Sequence, residues 1–550
     1  MPRTIALPEN MTYIETNAFC GDRGLRNIRI PEGIRTIGDY AFCACEDLES
    51  VDLYCRNARV GERVFAECPK LERVYIDGDF GDNVTYTFEK CPALRRVEVG
   101  PHMTELPVYC FSECEALAEV LLPPELEHIG DGAFYGCAAL EAVEFPEGLR
   151  SIGWCAFEGT GLRSVALPES VTELGSGVFD GCTALTEVRL TGQVKTLEAI
   201  FRRTSLTRVE VPEGVEALNN TFAECTALTE VRLPESLRTL AGTFDGCESI
   251  RAIHLPDGVT SIGAATFRCC LSLESVNLPD GIQEIGNSAF WRCERLPRLD
   301  IPESVTSIGY MTFVNCFGLT ELHLPEGLTA LGGRAFQRCT NLERVNLPEG
   351  ITQLGNGVFE DCEKLQAVEL PEAVTTLGQY MFKGCASLTE VTLPEGVTEL
   401  GEYAFSGCAR LERVHLGSAL TTIGFSAFSG CEHLTAIELP DGVTKLGEEA
   451  FGGCTSLETA RLPDSLITLP QALFVFCPSL KHVRVPANLR LIDKRAFKEC
   501  TGLAEIELPD TVEVIRDTAF LGAEQVVIRC SPGSYADTWA KENGMTTVYP

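Results

Sequence analysis

Seven histidines and 26 cysteines are the residues of this 550-residue chain whose types could hold a metal or serve a nucleophile. The histidines are His102, His128, His254, His323, His415, His433 and His482. His254, His323, His415 and His482 fall on outward positions of strand-like segments. His254 and His323 are three repeats apart, roughly 14 Å at the usual strand spacing. One ion with bonds of about 2 Å does not bridge that gap. Nineteen cysteines sit three residues after a regularly spaced phenylalanine, as Cys385, Cys408 and Cys431 do. The others are Cys20, Cys43, Cys55, Cys110, Cys155, Cys269 and Cys530. Cys43-x-Cys45 and Cys269-Cys270 lack paired zinc spacing, and Cys110-x-x-x-Cys114 has no second pair nearby. A disulfide ladder is disfavoured, because strands about 4.8 Å apart hold equivalent Cβ atoms farther apart than the ~3.8 Å a bridge prefers. Thr160 and Thr204 replace cysteine in the ladder, so the slot reads as a small buried apolar position. Serines and carboxylates are plentiful, yet there is no G-x-S-x-G elbow, H-E-x-x-H or phosphate-binding glycine loop. The expectation is no catalytic residue, no metal and no cofactor.

Recognition chemistry is more visible than reaction chemistry. The net charge of −34 argues against DNA, RNA or an anionic membrane as the main partner. Two basic islands interrupt the acidic background. One comprises Arg189, Lys195, Arg202, Arg203 and Arg208. The other comprises Arg461, Lys481, His482 and Arg484, continued by Arg490, Lys494, Arg495 and Lys498. Outward strand positions vary from repeat to repeat, and the candidate partner-binding set drawn from them and from the first island is Arg189, Arg203, Arg208, Arg232, Arg461, His482, Arg484, Tyr75 and Leu121. Tyr75 and Leu121 are apolar on a mostly charged face. A row of acids follows the strand proline in nine consecutive repeats, from Glu213 to Glu395. Each must be solvated or accept a turn hydrogen bond, and the row alternatively reads as a docking rim.

The element that positions all of these is a unit of about 23 residues, seen in Leu393–Leu416 as LPEGVTELGEYAFSGCARLERVHL. Val414 and Leu416 alternate with Arg413 and His415, the pattern of a half-buried strand. Proline ends that strand and glycine is expected to supply a positive φ for the turn. Val397 and Leu400 form a second short extended piece. Gly401 turns the chain again, and 402–407 reads as one helical or 3₁₀ turn inserting Ala404 and Phe405. The phenylalanine recurs at 23 positions from Phe19 to Phe520, out of 28 in the chain. A period in the twenties with Leu, Val and Leu at fixed offsets marks a leucine-rich solenoid. One coil cannot enclose these side chains, so stability is a sum over stacked neighbours.

The repeat [LI]-G-x-x-A-F-x-x-C-x-x-L-x-x-[VI]-x-[LI]-P, from about Leu7 to Ala523, resembles the BspA-like (Treponema-type) leucine-rich repeats. The resemblance implies a right-handed curved solenoid used for protein–protein contact, with no catalytic residues to carry over. It also implies an alternative role, since many relatives are bacterial surface adhesins or host-interaction proteins.

The expected fold class is therefore an α/β-type solenoid, mostly β: a leucine-rich-repeat superhelix of about 23 coils, its parallel sheet on the concave side. Residues 1–525 form the solenoid and 526–550 a cap, with a helix opening at Ser534 and stopping at Gly544. From Phe157 to Phe244 the steps shorten to 22, 22, 21 and 22 residues, which should alter curvature or twist. The polar stretches 55–59 and 77–82 replace the usual P-E-G turn. No apolar run is long enough to span a membrane, and no signal peptide opens the chain. With many thiols, this points to the cytoplasm, or to the cell surface if a leader is missing. The partner expected is a protein, without nucleic acid or membrane insertion. A monomer is expected, with a dimer through the uncovered N-terminal edge as the alternative.

Overall fold

The computed structural model describes residues 3–8, 10–54, 56, 58–78, 80 and 84–550. Among the described residues strands follow one another, with one helix, Tyr535–Glu542. Together they make a parallel-strand β-solenoid of about 23 turns. The chain divides into two compact units, Met1–Thr260 with Ala265–Leu273, and Ser261–Ala264 with Glu274–Pro550.

Most described coils contribute a short strand to each of two parallel ladders. In the second unit Glu390–Thr392 pairs with Arg413–His415 in register, Val391 opposite Val414. The other ladder pairs Leu377 with Leu400 and Leu400 with Ile423. In the first unit Arg3–Ala6, Leu25–Ile30, Ser50–Tyr54, Arg73–Asp77, Arg96–Val99 and Glu119–Leu121 make the longest run of the first ladder. Most strands are only two or three residues long and fall into separate short ladders, where repeat counting had suggested one continuous sheet of about 23 strands. Pro, Gly and the coil corners interrupt the extended backbone before longer pairing can form.

The phenylalanine spine is the core. Its rings from Phe42 on are buried, Phe19 is half-buried, and they stack on their neighbours, Phe19 on Phe42 with centroids 4.9 Å apart, Phe382 on Phe405 at 5.3 Å and Phe405 on Phe428 at 5.2 Å.

The segment around the phenylalanine is neither helical nor 3₁₀. Tyr403 and Gly407, two residues to either side of Phe405, are left-handed, with φ of 57° and 75°. The N–H groups of Tyr403, Phe405 and Gly407 donate to Phe425, Ala427 and Ser429 of the next coil, at 2.8, 2.7 and 2.7 Å. Those of Ala404, Ser406 and Cys408 turn back to Gly401, Tyr403 and Phe405. A helix would point every N–H along its own axis. Left-handed residues on either side of the phenylalanine break that helical run, every second N–H is aimed at the neighbouring coil, and the turn becomes a hydrogen-bonded ladder. Asn17, Tyr40, Ala44, Arg63 and Glu67 repeat these positions with positive φ.

Glycine has a different task from the one its turn setting suggested. Gly396 of the P-E-G turn is not left-handed, and the turn closes by Val397 N–H donating to Pro394 O at 3.1 Å. Gly401 is required by close approach: a Cβ there would lie 2.5 Å from Gln379 N and 2.6 Å from Gly378 C. Gly424 and Gly447 continue this column against the backbone below them.

In the shortened run residues are missing before the strand at 160–162 and 204–206, and from this corner in the coils of Phe201, Phe222 and Phe244. Thr196–Glu198, Ala217–Asn219 and Thr239–Ala241 are three-residue strands where other coils have two. The ring spacing widens there, with Phe201–Phe222 and Phe222–Phe244 both at 6.0 Å.

The end of the chain is covered as expected. Ser534 caps the helix by accepting from Asp537 N–H at 3.2 Å. Trp539, 8% exposed, lies 5.9 Å centroid to centroid from Phe520, and Thr547–Val548 pairs with Val527–Arg529.

Candidate functional site

The first ladder points alternate side chains outward, and there the candidate residues stand. Arg413 and His415 are exposed to either side of half-buried Val414. Glu438, Arg461 and Arg484 occupy one column in the second unit, each opposite the next in register. Arg461 Nη1 lies 2.6 Å from Glu438 Oε1. Arg484 Nη2 is 3.0 Å from Asp464 Oδ2, and its Nη1 donates to Leu462 O at 2.7 Å. The backbone N–H of Ala487, then Arg484, holds the Asp464 carboxyl below the usual carboxylate range. His482 is exposed at the other end of the same strand. Lys481 and Arg490 pair with Glu458 and Glu513 of neighbouring coils, both at 2.9 Å. The second basic island is thus laced with acids, in pairs that stand exposed to solvent and are weakened by it.

The first island divides. Arg189 and Arg208 are exposed on strands of the first ladder. Arg208 and Arg232 both approach Glu230, at 3.4 and 3.8 Å. Arg203 is elsewhere, on the phenylalanine turn with φ of 57°. Its Nε lies 3.0 Å from Oδ1 of Asp180, a carboxylate only 8% exposed, so Arg203 holds a nearly buried charge in place. Leu121 is exposed on its strand. Tyr75 is half-buried, its ring 5.0 Å from that of Tyr54, rather than presented openly. In register Tyr75 stands opposite Asp52 and Glu98, and Leu121 opposite Glu98.

The acidic row works within the scaffold. Glu213 accepts from the backbone of Glu235 at 3.0 Å, Glu303 from Glu326 at 3.1 Å, and Glu395 from Ser418 at 2.9 Å. Hydrogen bonds from the next coil hold the Glu395 carboxyl below the ordinary range. Among the described residues no group of three or more His, Cys, Asp or Glu is placed to hold a metal ion. His254 and His323 are exposed, as their positions suggested.

The ladder thiols do more than fill space. Cys385 Sγ donates to Phe359 O at 3.1 Å, Cys408 to Phe382 O at 3.1 Å, and Cys431 to Phe405 O at 3.3 Å. These three thiols are free and buried. Thr160 and Thr204 keep a donor in the slot but bond the phenylalanine carbonyl of their own coil, both at 2.9 Å. Burial pushes the Cys182 thiol up to about 11 and that of Cys477 up to about 12. Cys55 lies outside the described residues, as do parts of the 55–59 and 77–82 stretches.

Two features were not drawn from the repeat. Trp154, 50% exposed, borders a groove of about 600 Å³ lined by Glu105, His128, Asp131, Ser151 and Glu173. His128 Nδ1 is 2.7 Å from Ser151 Oγ there. Phe476 is 52% exposed beside a groove of about 310 Å³. It occupies the turn position filled by Gly430 and Gly453 in the two coils before it, and that break in the column was readable in the sequence. No described helix is long and apolar enough to cross a membrane.

The sequence profile described as BspA type Leucine rich repeat region (6 copies) matches residues 3–118, 104–221, 218–333, 306–435 and 402–527. Among solved structures, a leucine-rich repeat protein from Bacteroides ovatus ATCC 8483 is 24% identical over 76% of this chain and 88% of its own, with a TM-score of 0.40. A leucine rich cell surface protein from Faecalibacterium prausnitzii A2-165 is 20% identical over 84% and 87%, with a TM-score of 0.30. The T. pallidum Leucine Rich Repeat protein is 27% identical over 39% and 81%, with a TM-score of 0.27. No curated protein matches the chain.

Proposed function

The chain belongs to the BspA-type leucine-rich repeat family, and from that premise we propose that it is a non-catalytic scaffold that binds a protein through the exposed positions of its first strand ladder. A leucine-rich-repeat solenoid is generally a non-enzymatic scaffold. One observation supports the reading above others. Inward positions repeat nearly unchanged, Val391, Val414 and Ile437 for instance, while the exposed neighbours Thr392, His415, Glu438, Arg461 and Arg484 change chemistry coil by coil. Packing demands the first set and leaves the second open to recognition. The hydrogen-bonded ladder thiols support a reducing compartment, which favours a cytoplasmic protein over a surface adhesin.

The test is crosslinking and capture from the native cell, followed by affinity measurement on two variants, Arg461→Ala/Arg484→Ala and Arg189→Ala/Arg208→Ala. Arg203 is left intact because it holds Asp180. An arginine anchor contributes about 2 kcal/mol, so at least one variant should bind the captured protein about 30-fold more weakly. Parental affinity in both would overturn the strand-face reading.

A further inference from the structure

We propose that the phenylalanine-turn edge around Phe476, Arg495, Lys498 and Leu521 is a docking site for an acidic peptide segment bearing a bulky apolar side chain. This deepens the scaffold reading and rests on it, since it names a second surface and the chemistry of its occupant.

Phe476 is a large apolar residue without an interior task. It is 52% exposed, it adopts a left-handed φ of 58°, and the same turn position holds glycine in Gly430 and Gly453. Among the described residues it is the only aromatic two positions after a spine phenylalanine. The left-handed φ belongs to the turn, where Phe476 N–H donates to Lys498 O at 2.9 Å, but the interior gains nothing from an aromatic ring left in solvent there. On the next coil Lys498 Nζ stands 4.9 Å from the ring centroid. One coil further, Leu521 is 46% exposed. Phe476, Arg495 and Lys498 line the 310 Å³ groove, whose floor includes Gly430, Gly452 and Gly453, with Glu449 as its acid.

Charge selects the occupant. In a chain of net charge −34, Arg461, Lys481 and Arg490 each have a carboxylate within 2.9 Å. Lys494, Arg495 and Lys498 form no ion pair among the described residues. Two cations without an ion pair, Arg495 and Lys498, beside the exposed ring in one groove fit a ligand that alternates carboxylates with an apolar group. The glycine floor lets a peptide backbone come close, and Lys498 bridges the two chemistries by facing a ring and an anion at once.

The experiment uses the full chain and a fluorescein-labelled peptide with phenylalanine between pairs of glutamates, read by fluorescence anisotropy. It should bind at least tenfold more tightly than the same peptide with alanine at its centre, and than one with lysines for glutamates. Phe476→Gly, which restores the residue used in the two coils before it, should weaken binding at least tenfold, and Arg495→Gln/Lys498→Gln should do the same. Arg461→Ala/Arg484→Ala should leave peptide binding unchanged. Equal binding by the parent and both groove variants would overturn the site, as would peptide binding lost only in the strand-face variant. Loss of a captured partner by strand-face variants, with no peptide binding by the parent, would remove this site while leaving the scaffold reading intact. Self-association abolished by Phe476→Gly, or binding of anionic vesicles in place of the peptide, would also overturn it.

Discussion

Replacing Gly401 by alanine, and separately Gly407 by alanine, perturbs one coil at two points six residues apart. At Gly401 the new methyl would stand 2.5 Å from Gln379 N and 2.8 Å from Gly378 O, against an ordinary contact of 3.4 Å or more. Both obstructing atoms are backbone, so the coils must separate by about 1 Å, an overpacking cost of ~1–3 kcal/mol. That shift also breaks the 2.8 Å bond from Gly401 N–H to Leu377 O, and an unmet buried partner costs a further ~1–3 kcal/mol. The expected loss is about 2–6 kcal/mol. At Gly407 the methyl has room, 3.6 Å from Gly384 Cα and N. Only its φ of 75° opposes alanine, at ~1–2 kcal/mol, offset by ~0.4–1 kcal/mol of lost unfolded-state freedom. A net loss of about 1 kcal/mol follows. Tyr403 at φ 57° already bears the same conformation with a large side chain. Urea unfolding of the two variants, with hydrogen exchange at the 401–447 corners as the local readout, measures the difference. Equal destabilisation within about 1 kcal/mol would refute the argument that close coil approach, rather than backbone handedness, fixes the first glycine.

Phe405→Ala should destabilise by ~3–5 kcal/mol and loosen exchange in the coils of Phe382 and Phe428, since its ring is fully buried between theirs. A loss below about 1.5 kcal/mol would mean the ring stack is not the core. Stability should also fall in alkali. The native thiols of Cys182 and Cys477 ionise near pH 11 and 12, above the ordinary 9.0, so their contribution is complete below about pH 8.5. It declines from there to about pH 12, as unfolded thiols release protons that the native ones keep, by ~1.4 kcal/mol per pH unit for each thiol. Urea midpoints at pH 8 and 10.5 check this, and Cys477→Ala should flatten the slope. An unchanged slope in that variant would count against burial as the cause.

The solenoid was legible because each coil repeats the same demand. Valine and leucine alternate for a strand, phenylalanine and cysteine fill fixed buried slots, and local pattern agrees with global fold at every turn. The C-terminal helix was legible for a similar reason, since Ser534 and Gly544 are local start and stop signals. The handedness around the phenylalanine was not. Tyr, Arg, Glu and Ala occupy left-handed positions that no propensity would assign them, because the backbone bonds to the next coil compensate the strain. Nor did Gly401 announce its reason, for a turn and a close approach ask for the same residue. Period two matched the exposure of Arg189, Arg208, Arg461 and Arg484 but not of half-buried Tyr75, whereas Arg203 was grouped with them by proximity in sequence and lies on the phenylalanine turn against Asp180. Charge lists count arginines, and only the fold decides which of them already have a carboxylate. The sequence by itself determined the repeat, its buried slots and the exposed strand positions, because these follow from side-chain periodicity. Only the tertiary structure decided which backbone groups, thiols and charges meet across coils, because partners 20 to 26 residues apart are chosen by how neighbouring turns stack.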